Sequence, residues 1–355
     1  MKAVSVEAQA GNSTPEPQSA WKQIVAKYQQ PSTGRAIWQV ANTFVPYVAV
    51  WILIYLVKDI SLWLTVPLVL LGGGLIVRMF IIFHDCGHGS FLSSRRVNDV
   101  LGSIAGVLTF TPYFHWRWEH SIHHATSGDL DRRGVGDVPT MTVEEYLKAS
   151  RRKRLGYRLT RNPFVLFVLG PAFLFLFRER FPTRNAGLRE RWSVYGTNAG
   201  IVLFGLAMSW LVGFKLYLVC QVVMVLIAGS TGVWLFYVQH QFEGVYWERR
   251  ENWDYFQAAI QGSSFYKLPK ILQWFSGNIG FHHIHHLSPR IPNYNLERCH
   301  KAEPLFQTIR PVTLFSSLKC FKFRLWDEER RRLVGYGILR EIRRRSGGSS
   351  AGSIA

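Results

Sequence analysis

Acidic residues are scarce in this chain: 23 Asp and Glu stand against 42 Lys and Arg over 355 residues, a formal charge of +19. Cysteine is scarcer still. Cys86, Cys220, Cys299 and Cys320 lie far apart with no CxxC among them, which argues against a disulfide framework and for buried or reduced thiols. No HExxH occurs, so a zinc protease of that type is excluded. The opening stretch "MKAVSVEAQAGNSTPEPQSAW" has no apolar core of signal-peptide type. Flavin, haem and ferredoxin motifs are missing too, so any redox chemistry must draw its electrons from outside.

What is abundant is apolar residue, 48% of the chain, gathered into runs. Val45–Val57, Leu62–Val77, Phe164–Phe177, Ile201–Phe214 and Leu216–Val238 approach the roughly 20 residues that cross a bilayer's hydrocarbon core. They predict an all-α, multi-pass membrane protein. In that setting the basic excess is a positive-inside signature, suited to anionic headgroups, and nucleic-acid binding is not expected.

Charge and parity predict four transmembrane helices in two hairpins. Val40–Val57 and Leu62–Phe83 form the first, around "KDIS", with Arg35, Arg95 and Arg96 marking the cytoplasmic side. Val100–Phe110 is too short to cross, so it dips into the membrane or packs on the protein. The segment "RERFPTRNAGLRERW" holds five arginines and is kept cytoplasmic. Phe164–Phe177 then becomes a re-entrant or interfacial helix broken near Gly170-Pro171, and the last two runs form the second hairpin. Residues 1–35 read as a disordered cytoplasmic tail, and 331–355 as a basic helix followed by a disordered tail.

This arrangement places every histidine cluster on the cytoplasmic face. "HDCGH" offers His84 and His88 at i and i+4, one turn apart on one helical face. "HSIHH" offers His120, His123 and His124, whose spacing confines three imidazoles to an arc of about 100°. In "HHIHH", helical geometry alone admits either His282, His285 and His286 or His282, His283 and His286; the match to the preceding cluster favours His285. His240 follows the fourth span at the same depth. His115 and His300 read as ordinary polar residues. Nine imidazoles exceed a four-ligand structural zinc and suffice for two metals with four or five each. One Glu-x-x-His pair, Glu297 with His300, falls short of the paired motifs of soluble di-iron bundles and is read as chance.

HDCGH, HSIHH and HHIHH, with membrane hairpins between them, resemble the integral-membrane fatty acid desaturase superfamily. The resemblance covers most of residues 36–330, including "WLFYVQHQFE" around His240 and "GNIGFHHIHHLSPRIPNYNL" around the last cluster. A first box with three residues between its histidines is similar to acyl-lipid desaturases of bacterial and plastid type. The acyl-CoA branch has a box one residue longer. It also carries an asparagine one turn before the histidine after the fourth span, where this chain has Phe236.

The resemblance implies a four-helix membrane stalk under a helical cytoplasmic cap, in a desaturase domain spanning residues 36–330, with a di-iron centre at their junction. His84, His88, His120, His123, His124, His282, His285 and His286 match the family's box histidines, and His240 matches a further ligand. No catalytic residue beyond the metal ligands, and no organic cofactor site, is expected. The implied reaction introduces a cis double bond into an acyl chain, lipid-linked by the first box, with two ferrous ions, O₂ and two electrons from a ferredoxin or cytochrome. A bacterial inner membrane is the implied location. The chain then needs an apolar tunnel, for which Phe83, Trp116, Trp118, Trp274 and Phe281 are candidate walls. Asp85 and Glu119 are candidates to orient imidazoles, or to pair with arginines such as Arg117. Two rival readings remain: a di-iron membrane hydroxylase or carotenoid ketolase, whose boxes are spaced differently, and a metal transporter or sensor, whose ligands should line a path through the bilayer rather than one face.

Overall fold

The structure is a computed structural model that describes residues 17–349, with side chains described for 21–345. Among the described residues four helices are long and apolar enough to cross a membrane: α2 (Thr33–Val57), α3 (Leu62–His88), α9 (Leu188–Val212) and α10 (Phe214–His240), where α1 (Pro17–Ala26) precedes them in the chain. Each holds an 18-residue apolar window with at most two charged residues, so little within that window opposes an uninterrupted helix in lipid. Ser61 caps α3 by accepting from the Trp63 N–H, and Gly213, at φ +91°, turns α9 into α10. Of the four, α3 is the most enclosed, with 61% of its apolar window buried against 11% for α9.

Close packing of α3 on α10 comes from small residues. A Cβ on Gly73 would sit 2.7 Å from Cγ2 of Ile227, and one on Gly72 equally near the Met224 thioether. The two backbones therefore approach more closely than larger side chains allow. Arg78 ties the first hairpin to the cap. Its Nε donates to Thr43 Oγ1 at 3.1 Å, its guanidinium lies 4.0 Å above the Trp274 ring, and a further N–H meets the Trp274 carbonyl.

Between the hairpins come α4 (Arg95–Leu108), packed along α3 rather than crossing, then α5 (Tyr113–Thr126), α6 (Val143–Lys148) and α7 (Arg151–Thr160). After α7 the chain bends by 65° into a π-helical turn, Val165–Leu169, continued by α8 (Gly170–Leu176). The break expected near Gly170-Pro171 thus falls earlier, at residues 161–164. Asn162 precedes Pro163, which disfavours the α conformation there. Arg161 staples the corner by donating to Gln241 Oε1 (2.8 Å) and the Phe323 carbonyl (3.1 Å).

The rest of the cap is short elements: α11 (Tyr255–Ile260), α12 (Lys270–Phe275), α13 (His282–Leu287), α14 (Asn293–Ala302), α15 (Pro304–Gln307) and α16 (Leu314–Ser317). Two small sheets tie distant segments together. β1 (Met141–Thr142) pairs parallel with β4 (Leu325–Asp327), which pairs antiparallel with β5 (Arg332–Val334). β2 (Phe265–Lys267) runs parallel to β3 (Pro311–Thr313).

Where it is described, the amino-terminal stretch departs from the tail expectation, while a basic helix does lie within 331–355. Val25 and Tyr28 are buried with Phe281, Ile284 and Leu287, so α1 and the turn after it belong to the packing behind α13. After β5, α17 (Ile338–Ser349) buries Ile338 and Leu339 with Tyr146 and Tyr157. An apolar stripe that finds a partner surface is held in place, whatever the charge of its other face. The remainder of both expected tails, 1–16 and 350–355, lies outside the described residues.

Candidate metal centre

The histidines converge because three helix ends do. α3 runs on past the membrane-length stretch, so His84 and His88 are part of its last turns, and Gly89 at φ +68° ends it. α5 is aimed back across α3 by Tyr113, whose hydroxyl donates to the Cys86 carbonyl at 2.6 Å. α10 brings His240, and α13 lies across the gap with His282, His283, His285 and His286 all buried.

Nitrogens of His84, His88, His120, His124 and His285 all lie within 4.8 Å of one another, and those of His123, His240 and His286 form a second such group. His282 adjoins the second group, its Nε2 being 3.0 Å from that of His240 and its ring 4.5 Å from that of His286. The i, i+3, i+4 spacing of α5 is thereby divided: His120 and His124 serve one group, and His123 the other. α13 is divided likewise, with His285 in the first and His286 in the second. The groups are side by side, since the His124 and His286 rings stack at 4.2 Å.

The separations suit shared ions. Two imidazole nitrogens about 2.1 Å from one ion and at right angles to each other would be about 3.0 Å apart. The Nε2 pairs His84–His120, His120–His124 and His124–His285 lie at 3.1, 3.1 and 3.0 Å. The Nε2 atoms of His88, His123 and His286 are buried with no hydrogen-bond partner. A buried polar atom left so costs about 1–3 kcal/mol unless something binds it. Burial, and then the neighbouring imidazoles, push His120, His124, His282, His285 and His286 well below the ordinary histidine range. They are neutral and keep a lone pair for a metal.

Carboxylates fix two of the rings. Asp85 Oδ1 lies 3.0 Å from His84 Nδ1, while its Oδ2 accepts from the Asn293 backbone N–H (2.6 Å) and side chain (2.8 Å). Asp137 Oδ1 lies 2.6 Å from His123 Nδ1. Holding the proton on Nδ1 leaves Nε2 for the metal. Asp137 was not singled out in the sequence: it sits in the loop "RRGVGD", where no helical spacing links it to a histidine. Glu119 instead forks to Arg178, and Arg117 pairs with Asp99 at 3.1 Å.

The remaining histidines stay apart. His115 Nε2 accepts from the Thr183 N–H at 3.2 Å. His283 faces away, its ring against Phe265, His300 and Phe306, and burial pushes it down to about 3. Glu297 is bound by Lys270 and Lys301, away from both groups.

An apolar cavity of about 430 Å³ runs between α3, α8 and α10 to this centre, with His84, His120 and His282 in its lining. Of the five aromatics considered for it, only Trp116 lines it, stacked on His120 at 4.3 Å. Phe83 lies behind Phe80 and Trp116, Trp274 covers Arg78, Phe281 stacks on Phe265, and Trp118 borders His115. The sequence reading missed Phe80, Phe175 and Phe236 as walls. Phe236 packs on His123 and His240 at 5.1 and 4.9 Å, covering the second group.

Comparison with known proteins agrees with this geometry. A family model described as fatty acid desaturase matches residues 61–312. A fatty acid desaturase of Bacillus subtilis is 49% identical over 318 residues, 90% of each chain. An sn-1 oleoyl-lipid 12-desaturase of Synechocystis is 27% identical, covering 67% of this chain and 68% of that one. An sn-1 acyl-lipid omega-3 desaturase (ferredoxin) of Nostoc is 26% identical, covering 70% and 68%. With four membrane-length helices and buried imidazole groups at the end of an apolar cavity, the chain is a membrane oxidoreductase and belongs to the fatty acid desaturase family.

Proposed function

We propose that this enzyme introduces a cis double bond into an acyl chain of a membrane glycerolipid, at a di-iron centre on the cytoplasmic face of a bacterial inner membrane. The observation that carries it is the pair of imidazole groups abutting the inner end of an apolar cavity. His84, His88, His120, His124 and His285 would hold one iron, and His123, His240, His282 and His286 the other. Bound there, the two ferrous ions would supply the oxidising power, with O₂, that no side chain has against an unactivated methylene.

The chain's own contributions are positional. α3, α8 and α10 bury the acyl chain, and Phe80, Trp116 and Phe236 keep water from the reacting carbons. Asp85 and Asp137 hold their imidazoles in the metal-binding tautomer. Two hydrogens leave the substrate and, with O₂, two external electrons and two protons, appear as two waters. The donor best suited to a basic surface is an acidic ferredoxin, the donor named for the Nostoc relative.

Expression in a host with saturated membrane lipids tests the reading. New olefins in extracted lipids, with about two irons per purified chain, are expected. Hydroxylated chains without olefin would replace it with an oxygen-inserting enzyme, and an iron-free chain would end it.

A further inference from the structure

Electrons must reach the centre without passing through the substrate cavity. On the face of α13 that carries His283 lies a second cavity, of about 560 Å³. Its aromatic surface is a contiguous set: Phe281 stacks on Phe265 at 4.9 Å, and the His300 ring lies 4.4 Å from Phe265 and 5.1 Å from Phe281. Phe281 is bonded directly to His282, so this surface ends one peptide from the second imidazole group. Nδ1 of His300 is buried and unpartnered.

Its rim is basic. Lys267, Lys270 and Lys301 are exposed and line the opening, against one carboxylate, Glu297, which Lys270 and Lys301 already engage. Among the described residues Lys267 has no acidic partner. Arg298 and Arg310, exposed beside lining residues, extend the same sign. Such a ring of charge speeds encounter with an acidic protein and orients it more than it tightens the complex. Tunnelling of an electron falls off steeply with distance, so a donor gains most by docking where the path to the ligands is short.

We propose that this lysine-rimmed cavity is the docking site of a small acidic one-electron carrier protein, seated with carboxylates on Lys267 and Lys301 and its redox group over Phe281. The proposal rests on the desaturase reading. Two successive dockings deliver one electron each; the carrier is oxidised twice as O₂ and the substrate hydrogens end in water.

The test compares two ways of reducing the iron-loaded full chain in phosphatidylglycerol-containing nanodiscs. One is a plant-type [2Fe–2S] ferredoxin with its NADPH reductase, giving steady turnover. The other is anaerobic reduction by dithionite followed by a pulse of O₂, giving a single-turnover olefin yield that needs no protein donor. Lys267→Glu with Lys301→Glu should lower the ferredoxin-driven rate about tenfold and flatten its salt dependence, with the single-turnover yield unchanged. The corresponding Gln pair should fall between. A ferredoxin-driven rate equal to wild type would overturn the proposal. So would an equal fall in both assays, or lost affinity for phosphatidylglycerol vesicles with normal ferredoxin kinetics, which would make the cavity a structural or lipid site. If wild type yields no olefin after dithionite, the desaturase reading fails, and the docking proposal with it.

Discussion

At the residue scale, the imidazoles differ by what lies opposite each ring. His285→Gln removes a nitrogen 3.0 Å from His124 Nε2 and should cost roughly one of two irons per chain by elemental analysis, with turnover abolished. His283→Gln, whose ring faces Phe265 and His300, should keep both irons. The reverse pattern would exchange their roles. Asp137→Asn should leave the fold intact, as judged by unchanged thermal unfolding, and weaken iron retention or turnover roughly 10- to 100-fold. The histidines were legible because a metal needs several donors and a helix repeats them at fixed intervals. Asp137 and Arg178 were not, because each reaches its partner from a segment whose own sequence has no period. The choice of His285 over His283 came from a likeness of spacing, since the two flank the same helical arc.

Elements carry different information. α2, α3, α9 and α10 were readable from runs of apolar residues, which state length but not neighbour. That α3 and α10 are in contact is written in Gly72 and Gly73. Gly73→Leu should overpack against Ile227 and destabilise by about 1–3 kcal/mol, read as a lower unfolding temperature in detergent together with lost iron. Gly232 also lies on α10 and in the cavity wall, but a Cβ there meets nothing within 4 Å. Gly232→Phe should therefore fold normally and shorten the space for the acyl chain. The expected readout is a product profile shifted to shorter chains, with the longest substrate reduced about tenfold or more; an unchanged profile would place the chain elsewhere. The bend after α7 escaped the sequence reading because Gly170-Pro171 is the more conspicuous pair, whereas Pro163 acts on the residue before it.

For the whole molecule, the arginine-rich loops predict a sidedness that can be measured. All four native cysteines are free and buried, so background labelling should be low. Asp59→Cys, between α2 and α3, should react with an impermeant maleimide in intact cells. Arg184→Cys, between α8 and α9, should react only after the membrane is opened; swapped reactivity would invert the protein. The count of membrane-length helices followed from charge and parity, which are properties of the full chain. The cap's assembly did not follow, because β1 with β4 and β2 with β3 join residues far apart in sequence through backbone groups that every residue shares.

That separation sets a timetable. His124 and His285, 161 residues apart, meet in one imidazole group. At about 5–20 residues per second, a ribosome takes roughly 8–30 seconds to travel from the first to the second. Through that interval the nascent chain already exposes His84, His88, His120 and His124 without the helix that covers them, while α1 waits with the apolar surface on which α13 will settle. On the proposed di-iron reading, iron that arrives early would meet an open four-histidine cup, and iron that arrives after α13 has settled would have to pass a lid already shut.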